Sequence, residues 1–433
     1  MDYAVVHNTQ MKHFVNEQRR REVSTQASKD ARLPRFDGAV GGILSSLHYS
    51  GSGNRFNAQS SLTSLGLTGV LPLYTGNRLS SQIKADRYAQ QAAEADVRSI
   101  AKDLRVQVAA AYLQVLYNRG EAAIASQRLE VSQQLLCRAR SLFDKGKRPE
   151  SDVAEATAMV SRDMALMEAT NGEVALSMID LRQLLNLPDT TLFDISELPD
   201  TLAAIPLNQS DRSYLQQATH HPAVQSAGYI ILQAEQGVKT ARSGYYPQLS
   251  LIGELSTFWS NIDSKANLHA QIPLRILPEP YNRINIPVNY ESDGKWHNYL
   301  HAFAGLQLTI PIFDAFRTKA RIRTAKIGLE DARLAYDDAR HRVEKEISQA
   351  WQATVTAYKR YQAEVKAEES GALSYRYALK RYEAGMSTFY DLNQSHQQWF
   401  DASENAMRMK FEYLIRKRIL EIHSDTESHA NSH

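Results

Sequence analysis

Gly66-Leu67-Thr68-Gly69-Val70-Leu71-Pro72-Leu73-Tyr74 returns near the other end of the chain as Gly305-Leu306-Gln307-Leu308-Thr309-Ile310-Pro311-Ile312-Phe313. The offset, 311 − 72 = 239, does not drift. It pairs Arg78 with Arg317, Ile83 with Ile322, Ala93 with Ala332, Tyr112 with Trp351, Gly146 with Gly385 and Asp152 with Asp391. A gapless register over roughly 80 positions marks two copies of one structural unit. A shorter echo has its own offset, 247 − 34 = 213, and sets Lys29-Asp30-Ala31-Arg32-Leu33-Pro34 against Arg242-Ser243-Gly244-Tyr245-Tyr246-Pro247. The expected organisation is a tandem repeat, residues 1–210 and 211–433. Each half has a helix, a β-hairpin, a long helix and a return helix; the first ends in a connector, the second in a polar tail.

The 433 residues are 43% hydrophobic with a mean hydropathy of −0.43, which suits long helices with narrow apolar seams rather than a thick core. A net charge of +2 and a pI near 8.4 are too mild to demand nucleic acid, and none is expected as a partner. Arg19-Arg20-Arg21 reads as a solvated helix face. The single cysteine, Cys137, excludes an intrachain disulfide and reads as a packing residue. No stretch approaches the ~18 apolar residues of a transmembrane helix. Met1-Asp2-Tyr3-Ala4 shows no basic-then-apolar signal peptide, so the expectation is either a cytosolic protein or a processed or trimmed chain. There is no G-x-S-x-G, P-loop, dinucleotide fingerprint or H-E-x-x-H, so no catalytic residue, cofactor or metal is expected. His220-His221 before Pro222 reads as a cap or surface pair.

Residues from about Tyr3 to Leu33 favour a helix that stops at Pro34, because the residue before proline avoids the α region. The period then switches to two. Leu249, Leu251, Gly253, Leu255, Thr257 and Trp259 share one side of a strand over Gln248–Trp259. Leu300, Ala302, Ala304, Leu306, Leu308, Ile310 and Ile312 form a second apolar face, and Leu65, Leu67, Leu71 and Leu73 a third. The stretch Arg35 to Tyr49 is Gly-rich and weaker. Two β-hairpins are expected, about 35–74 and 247–313. The first turns over Ser50-Gly51-Ser52-Gly53-Asn54; the second carries a long loop from about Ser260 to Asn298.

Each hairpin leads into a proline-free helical stretch, roughly Asn77 to Asp144 and Phe316 to Glu383, each about 100 Å long at 1.5 Å per residue. Ile322, Ala325, Leu329, Ala332, Tyr336, Ala339 and Val343 form a coiled-coil seam on the second. Phe143-Asp144-Lys145-Gly146 and Tyr382-Glu383-Ala384-Gly385 put an aromatic three residues before a glycine that can end a helix. Return helices start near Pro149 and Thr388 and run to about Leu187 and Ile422. Asn186 to Asp211 reads as a connector, and His423 to His433 as a polar tail.

Four amphipathic strands of membrane-spanning length fit a transmembrane β-barrel, but about eight is the smallest number that closes one. Open edges in lipid are prohibitive, so closure needs several chains: two would supply eight strands, three twelve. On this reading Leu249, Leu251, Leu255, Leu306, Leu308 and Ile310 face lipid. Tyr246, Phe258, Trp259, Trp296, Tyr299 and Phe313 lie near strand ends, where aromatic girdles belong.

Over nearly its whole length the chain resembles the TolC-like outer membrane efflux proteins. The marks are Ala241-Arg242-Ser243-Gly244-Tyr245-Tyr246-Pro247 entering a strand, Pro311-Ile312-Phe313-Asp314 leaving one, Asn186-Leu187-Pro188, and two aromatic-x-x-Gly tips followed six residues later by aspartate. The resemblance implies an α+β membrane protein: a homotrimer with a twelve-stranded barrel in the bacterial outer membrane, continued by a coiled-coil helical tunnel through the periplasm. It implies a passive exit duct for drugs or metabolites, partnered by a periplasmic adaptor and an inner-membrane transporter, with no cofactor. Phe143, Gly146, Tyr382 and Gly385 would form the adaptor-docking tips. Asp152 and Tyr382 would make one gate contact, and Asp391 an acidic ring at the narrowest point. The chain departs from the pattern at Ser387, where the prototype has a gate arginine, and at Gln394, where it has a second ring carboxylate. The other reading of Asp152 and Asp391 is helix capping. Competing functions are the channel of a type I secretion system and, from a different class, a soluble coiled-coil scaffold or periplasmic adaptor. An adaptor should interrupt a helical hairpin with a lipoyl-like module, and none is evident.

Overall fold

A computed structural model describes residues 1–51, 54–188, 193–196, 218–262, 269–273, 283–287 and 300–424. Ser52 and Gly53 of the first turn, most of the connector, Trp296, Tyr299 and the tail after Ser424 lie outside these residues.

The N-terminal helix is broken in two, α1 (Asp2–His7) and α2 (Thr9–Asp30), where a single helix was expected. Asn8 causes the break. Its backbone is extended, and its side-chain oxygen accepts from the amides of Gln10 at 2.8 Å and Met11 at 3.4 Å, capping α2. Its side-chain amide donates to the Leu184 carbonyl at 3.0 Å.

Strands β1 (Arg35–Gly51), β2 (Asn54–Tyr74), β3 (Gln248–Ile262) and β6 (His301–Thr309) form one antiparallel sheet in the order β1-β2-β3-β6. The two hairpins are thus joined edge to edge, β2 against β3. β4 (His269–Pro273) and β5 (Arg283–Pro287) pair separately, so the long loop of the second hairpin holds a small hairpin of its own. Register places Phe36, Val40, Leu44, Leu65, Leu67, Leu71, Leu249, Leu251, Leu255, Leu306 and Leu308 on one face of the sheet. Gln248, Ser250, Glu254, Ser256 and Gln307 lie on the other, together with the apolar Ile43, Val70, Ile252 and Phe303. The apolar face is open: Leu44 is 88% exposed, Val40 77% and Leu306 67%.

Prolines set the limits of this sheet. Pro72 lacks an amide donor, and the β2–β3 register shifts between Pro72 and Tyr74. β6 was expected to run through Ile310 and Ile312 but ends at Thr309, opposite Gln248. Pro311 has no donor to extend it, and Pro247 stops the partner strand. Ile310 is therefore exposed just past the strand rather than part of it.

The long helices are α3 (Arg78–Asp144) and α6 (Arg317–Glu383), 67 residues each; the return helices are α4 (Glu150–Leu185) and α7 (Phe389–Ser424), 36 each. Both pairs keep the 239-residue offset at both ends (317 − 78, 383 − 144, 389 − 150 and 424 − 185). Their starts share a device at the same offset. The Leu79 amide donates to the Thr75 hydroxyl at 3.3 Å, and the Thr318 amide to the Asp314 carboxylate at 2.7 Å. A shorter helix, α5 (Pro222–Arg242), precedes β3. Along α6 the seam residues are the protected ones, with Ala332 and Val343 buried and the others half-buried between exposed neighbours.

The chain divides into two compact units, neither of which follows the halves of the sequence. One is Met1–Ser24, Ala85–Glu235 and Ile327–His433; the other is Thr25–Lys84 and Gln236–Lys326. The sheet lies in the second. The first has its main core where Ala4, Met11, Leu104, Val108, Leu113, Leu181 and Leu185 meet, and a second core near the helix tips.

Candidate functional site: the paired helix tips

Both tips end a 67-residue helix in the same way. Gly146 and Gly385 take left-handed φ values of 67° and 80°. At the first, the Lys147 amide donates to Leu142 O at 2.9 Å and the Gly146 amide to Phe143 O at 2.8 Å. At the second, Met386 donates to Arg381 O at 2.9 Å and Gly385 to Tyr382 O at 3.0 Å. These are Schellman closures, which a residue with a Cβ adopts only under strain. A Cβ at either glycine would meet nothing within 4 Å, so the left-handed backbone rather than crowding favours glycine there; Asn186 closes α4 in the same way at φ 53°.

The tip core joins Leu135, Ala139, Ala156 and Met159 of α3 and α4 to Ala378, Tyr382, Phe389 and Leu392 of α6 and α7. Tyr382 is 1% exposed, and its ring packs edge-on against Phe389 with centroids 5.7 Å apart. Its hydroxyl donates to Asp152 Oδ2 at 3.0 Å. Burial, and next the Asp152 carboxylate, push the phenol well above its ordinary pKa, so it stays a donor. The structure thus brings Asp152 and Tyr382 together. It also buries Tyr382 away from the surface where a docking role was expected.

Asp152 and Asp391 occupy the same position in the first turn of α4 and α7, yet they behave differently. Asp391 folds back on its own helix: its Oδ2 accepts from the Thr388 amide at 3.0 Å and hydroxyl at 2.7 Å. The Asp391 amide returns a bond to the Thr388 hydroxyl at 3.2 Å. This is a reciprocal capping box, and it holds the exposed carboxyl below its usual range, the Thr388 hydroxyl contributing most. Asp391 is therefore a helix cap whatever else it does. The residue 239 positions before Thr388 is Pro149, which has neither amide hydrogen nor hydroxyl. Pro149 sits at the N-cap of α4 without a side-chain bond, one position earlier than its expected place in the first turn. Asp152 consequently has no local partner and crosses to Tyr382.

Gln394 is exposed one turn beyond Asp391. Ser387 contributes its carbonyl, which accepts from Arg148 at 2.7 Å, while its buried hydroxyl has no partner. Phe143, at the first tip, is 41% exposed. Three further tip residues escaped sequence reasoning. Met386 and Tyr390 are 79% and 67% exposed and make the second tip the more apolar surface. Arg148 binds across the tips, and one of its two acceptors, Ser387, is its own counterpart in the repeat, since 387 − 148 = 239.

Among the described residues no group of three or more His, Cys, Asp or Glu side chains is placed to hold a metal ion. Among them, too, no helix is long and apolar enough to cross a membrane.

Two long helical hairpins closed by matched glycine turns, with one sheet whose apolar face is open, describe a fold shared with known outer membrane channels. The chain matches the outer membrane efflux protein family over residues 2–187 and 214–420, and it belongs to that family. It is 25% identical over 309 residues to the outer membrane efflux protein BepC of Brucella suis, an alignment covering 71% of this chain and 59% of that protein. It is 23% identical over 392 residues to the cation efflux system protein CusC of Escherichia coli K12, covering 84% and 76%. A crystal structure of CusC superposes with a TM-score of 0.78 at 18% identity, covering 98% of this chain and 91% of that one. VceC of Vibrio cholerae gives 0.74 at 14% identity, covering 98% and 94%.

Proposed function

We propose that this chain is one protomer of an outer-membrane exit duct in a tripartite efflux system. The observation that carries the reading is the apolar face of the four-stranded sheet. It is continuous across all four strands and largely exposed. Outward-facing leucines with a reverse face that carries Gln248, Ser250, Glu254, Ser256 and Gln307 among a few apolar residues suit a barrel wall between lipid and a wet interior. The unpaired edges, β1 and β6, call for neighbouring copies, and three copies supply twelve strands. The matched helix lengths support an origin by duplication.

On this reading α3, α4, α6 and α7 form a tunnel wall in the periplasm, with the tips at its mouth. The Asp152–Tyr382 bond holds the mouth narrow. Asp391, one per protomer, lines it with carboxylates, while Gln394 adds none. Phe143, Gly146 and Gly385, with Met386 and Tyr390, dock a periplasmic adaptor that links the duct to an inner-membrane transporter. The reading is tested by light scattering and planar-bilayer recording on detergent-purified protein. A trimer that forms discrete channels is expected; a monodisperse protein that needs no detergent and gives no channels would sink it.

A further inference from the structure

Arg148 makes one of the densest sets of contacts at the tips. It follows the glycine turn of the first hairpin, and its Nη2 donates to two carbonyls of the second, Tyr382 O and Ser387 O, each at 2.7 Å. The guanidinium carbon also lies 4.3 Å from the centroid of the Tyr382 ring. One side chain thus grips both ends of the turn that leads α6 into α7. It presses on the tyrosine whose hydroxyl holds Asp152. The two bonds are charge-assisted, and the cation sits at the negative end of a long helix, where it adds a second donor to the Tyr382 carbonyl that also accepts from the Gly385 amide.

The contact continues a pattern. Arg138 meets Glu383 at 3.0 Å, and Arg128, on the same helix, reaches Glu404 at 3.6 Å and Asp401 at 3.8 Å while bound to Asp163 at 3.0 Å. At ten-residue spacing these arginines of the first hairpin each touch the second. The positions 239 residues on are Ala367, Tyr377 and Ser387, so the second hairpin returns no cation at any of them. The middle rung, Arg138–Glu383, is nearly half exposed and adds little by itself. Arg148 differs because it binds backbone. The Ser387 hydroxyl has no partner, so the side chain at 387 is not what is recognised.

We propose that Arg148 is the positioning residue that holds the second tip against the first and thereby sets how readily the mouth opens, an inference that rests on the channel reading above. The variants are Arg148→Met, which keeps the stem and removes the guanidinium, Arg148→Lys and Ser387→Ala. Hydrogen exchange at the Gly385 and Met386 amides is measured on purified protein, followed by single-channel conductance. Arg148→Met should speed exchange at these two amides at least tenfold, leave the amides of residues 113–116 unchanged, and raise the mean closed-state conductance severalfold. Arg148→Lys should recover part of both effects, since an ammonium restores hydrogen bonds without the planar stacking. Ser387→Ala should match the wild type. Unchanged tip exchange in Arg148→Met overturns the proposal, as does an equal effect of Ser387→Ala. Faster exchange throughout the helices would make Arg148 a folding residue only and overturns it as well. Faster tip exchange without a conductance change removes the gating role. A wild-type protein that gives no channels defeats the channel reading instead, and the exchange data still judge the contact.

Discussion

His396 lies on α7 with no exposed surface, its ring 4.8 Å from Phe400 and 5.7 Å from Tyr375, and neither ring nitrogen has a partner. Burial, reinforced by the nearby Arg128 cation, lowers its pKa from 6.5 to about 3. The folded value is depressed, so the unfolded chain takes up the proton first. The stabilisation by neutral His396 is complete above pH 6.5 and is lost as pH falls from there toward 3. At pH 5 the unfolded imidazole is already charged. The loss relative to pH 7.5 is about 2 kcal/mol per protomer, from 1.36 kcal/mol per unit over the 1.5 units below 6.5. This figure holds for any folded value below about 4. His221, lowered to about 4 by burial, acts in the same direction. Asp163 and Glu404, raised by burial, act in the opposite one. The informative quantity is therefore the difference between wild type and His396→Leu, a substitution of similar volume. Guanidinium unfolding of the two proteins at pH 7.5 and 5.0 should show the wild type losing about 2 kcal/mol more than the variant. Equal losses would refute the reasoning and mean that the imidazole titrates normally in the folded protein.

Tyr382→Phe should cost about 1–3 kcal/mol, because it leaves a carboxylate oxygen of the mostly buried Asp152 without its donor; with Asp152→Ala it should raise single-channel conductance, and an unchanged conductance removes the gate role. If the proposed trimeric barrel is right, Leu251→Arg and Leu306→Arg, on the exposed apolar face, should each cost roughly 2–4 kcal/mol in lipid and impair membrane insertion. Normal assembly of both would invert the assigned face. Gly146→Val with Gly385→Val forces two β-branched residues into left-handed backbone, at roughly 1–2 kcal/mol per site; on the proposed reading export should cease while the oligomer of the wild type survives, and full export would remove the docking role. The carboxylates proposed to line the mouth should favour cations and bind multivalent ones, so Asp391→Asn should weaken both cation selectivity and block by multivalent cations from the tip side. Unchanged permeation leaves Asp391 solely as the cap of α7.

The long helices were legible almost to the residue because their limits are chemical. Proline cannot enter them, glycine ends them, and the same signals occur twice at one offset. Strand phase was legible for a similar reason, since alternation fixes which residues share a face. Alternation says nothing about which strands are neighbours, so the β2–β3 pairing that makes one sheet was invisible. The early end of β6 was readable in principle from Pro247 and Pro311 taken together, but each proline matters only once the two strands are known to pair. Arg148 was hidden for another reason: its acceptors are backbone carbonyls, which every residue possesses and no side-chain pattern advertises. The Asn8 break escaped because one good cap outweighs a stretch of favourable propensity.

The absence of a hydroxyl at Pro149 also changes when the tips can form. The Thr388–Asp391 box closes between residues three apart and can assemble as soon as α7 begins to wind. The Tyr382–Asp152 bond joins residues 230 apart, so it waits until both hairpins are built and docked. A carboxylate released from its own helix becomes a long-range contact, which can form only after the helices that carry it have met. Threonine at 149 would offer Asp152 an early, local partner and set two acquaintances competing for one side chain. In kinetic terms, the proline keeps Asp152 uncommitted until the second hairpin arrives.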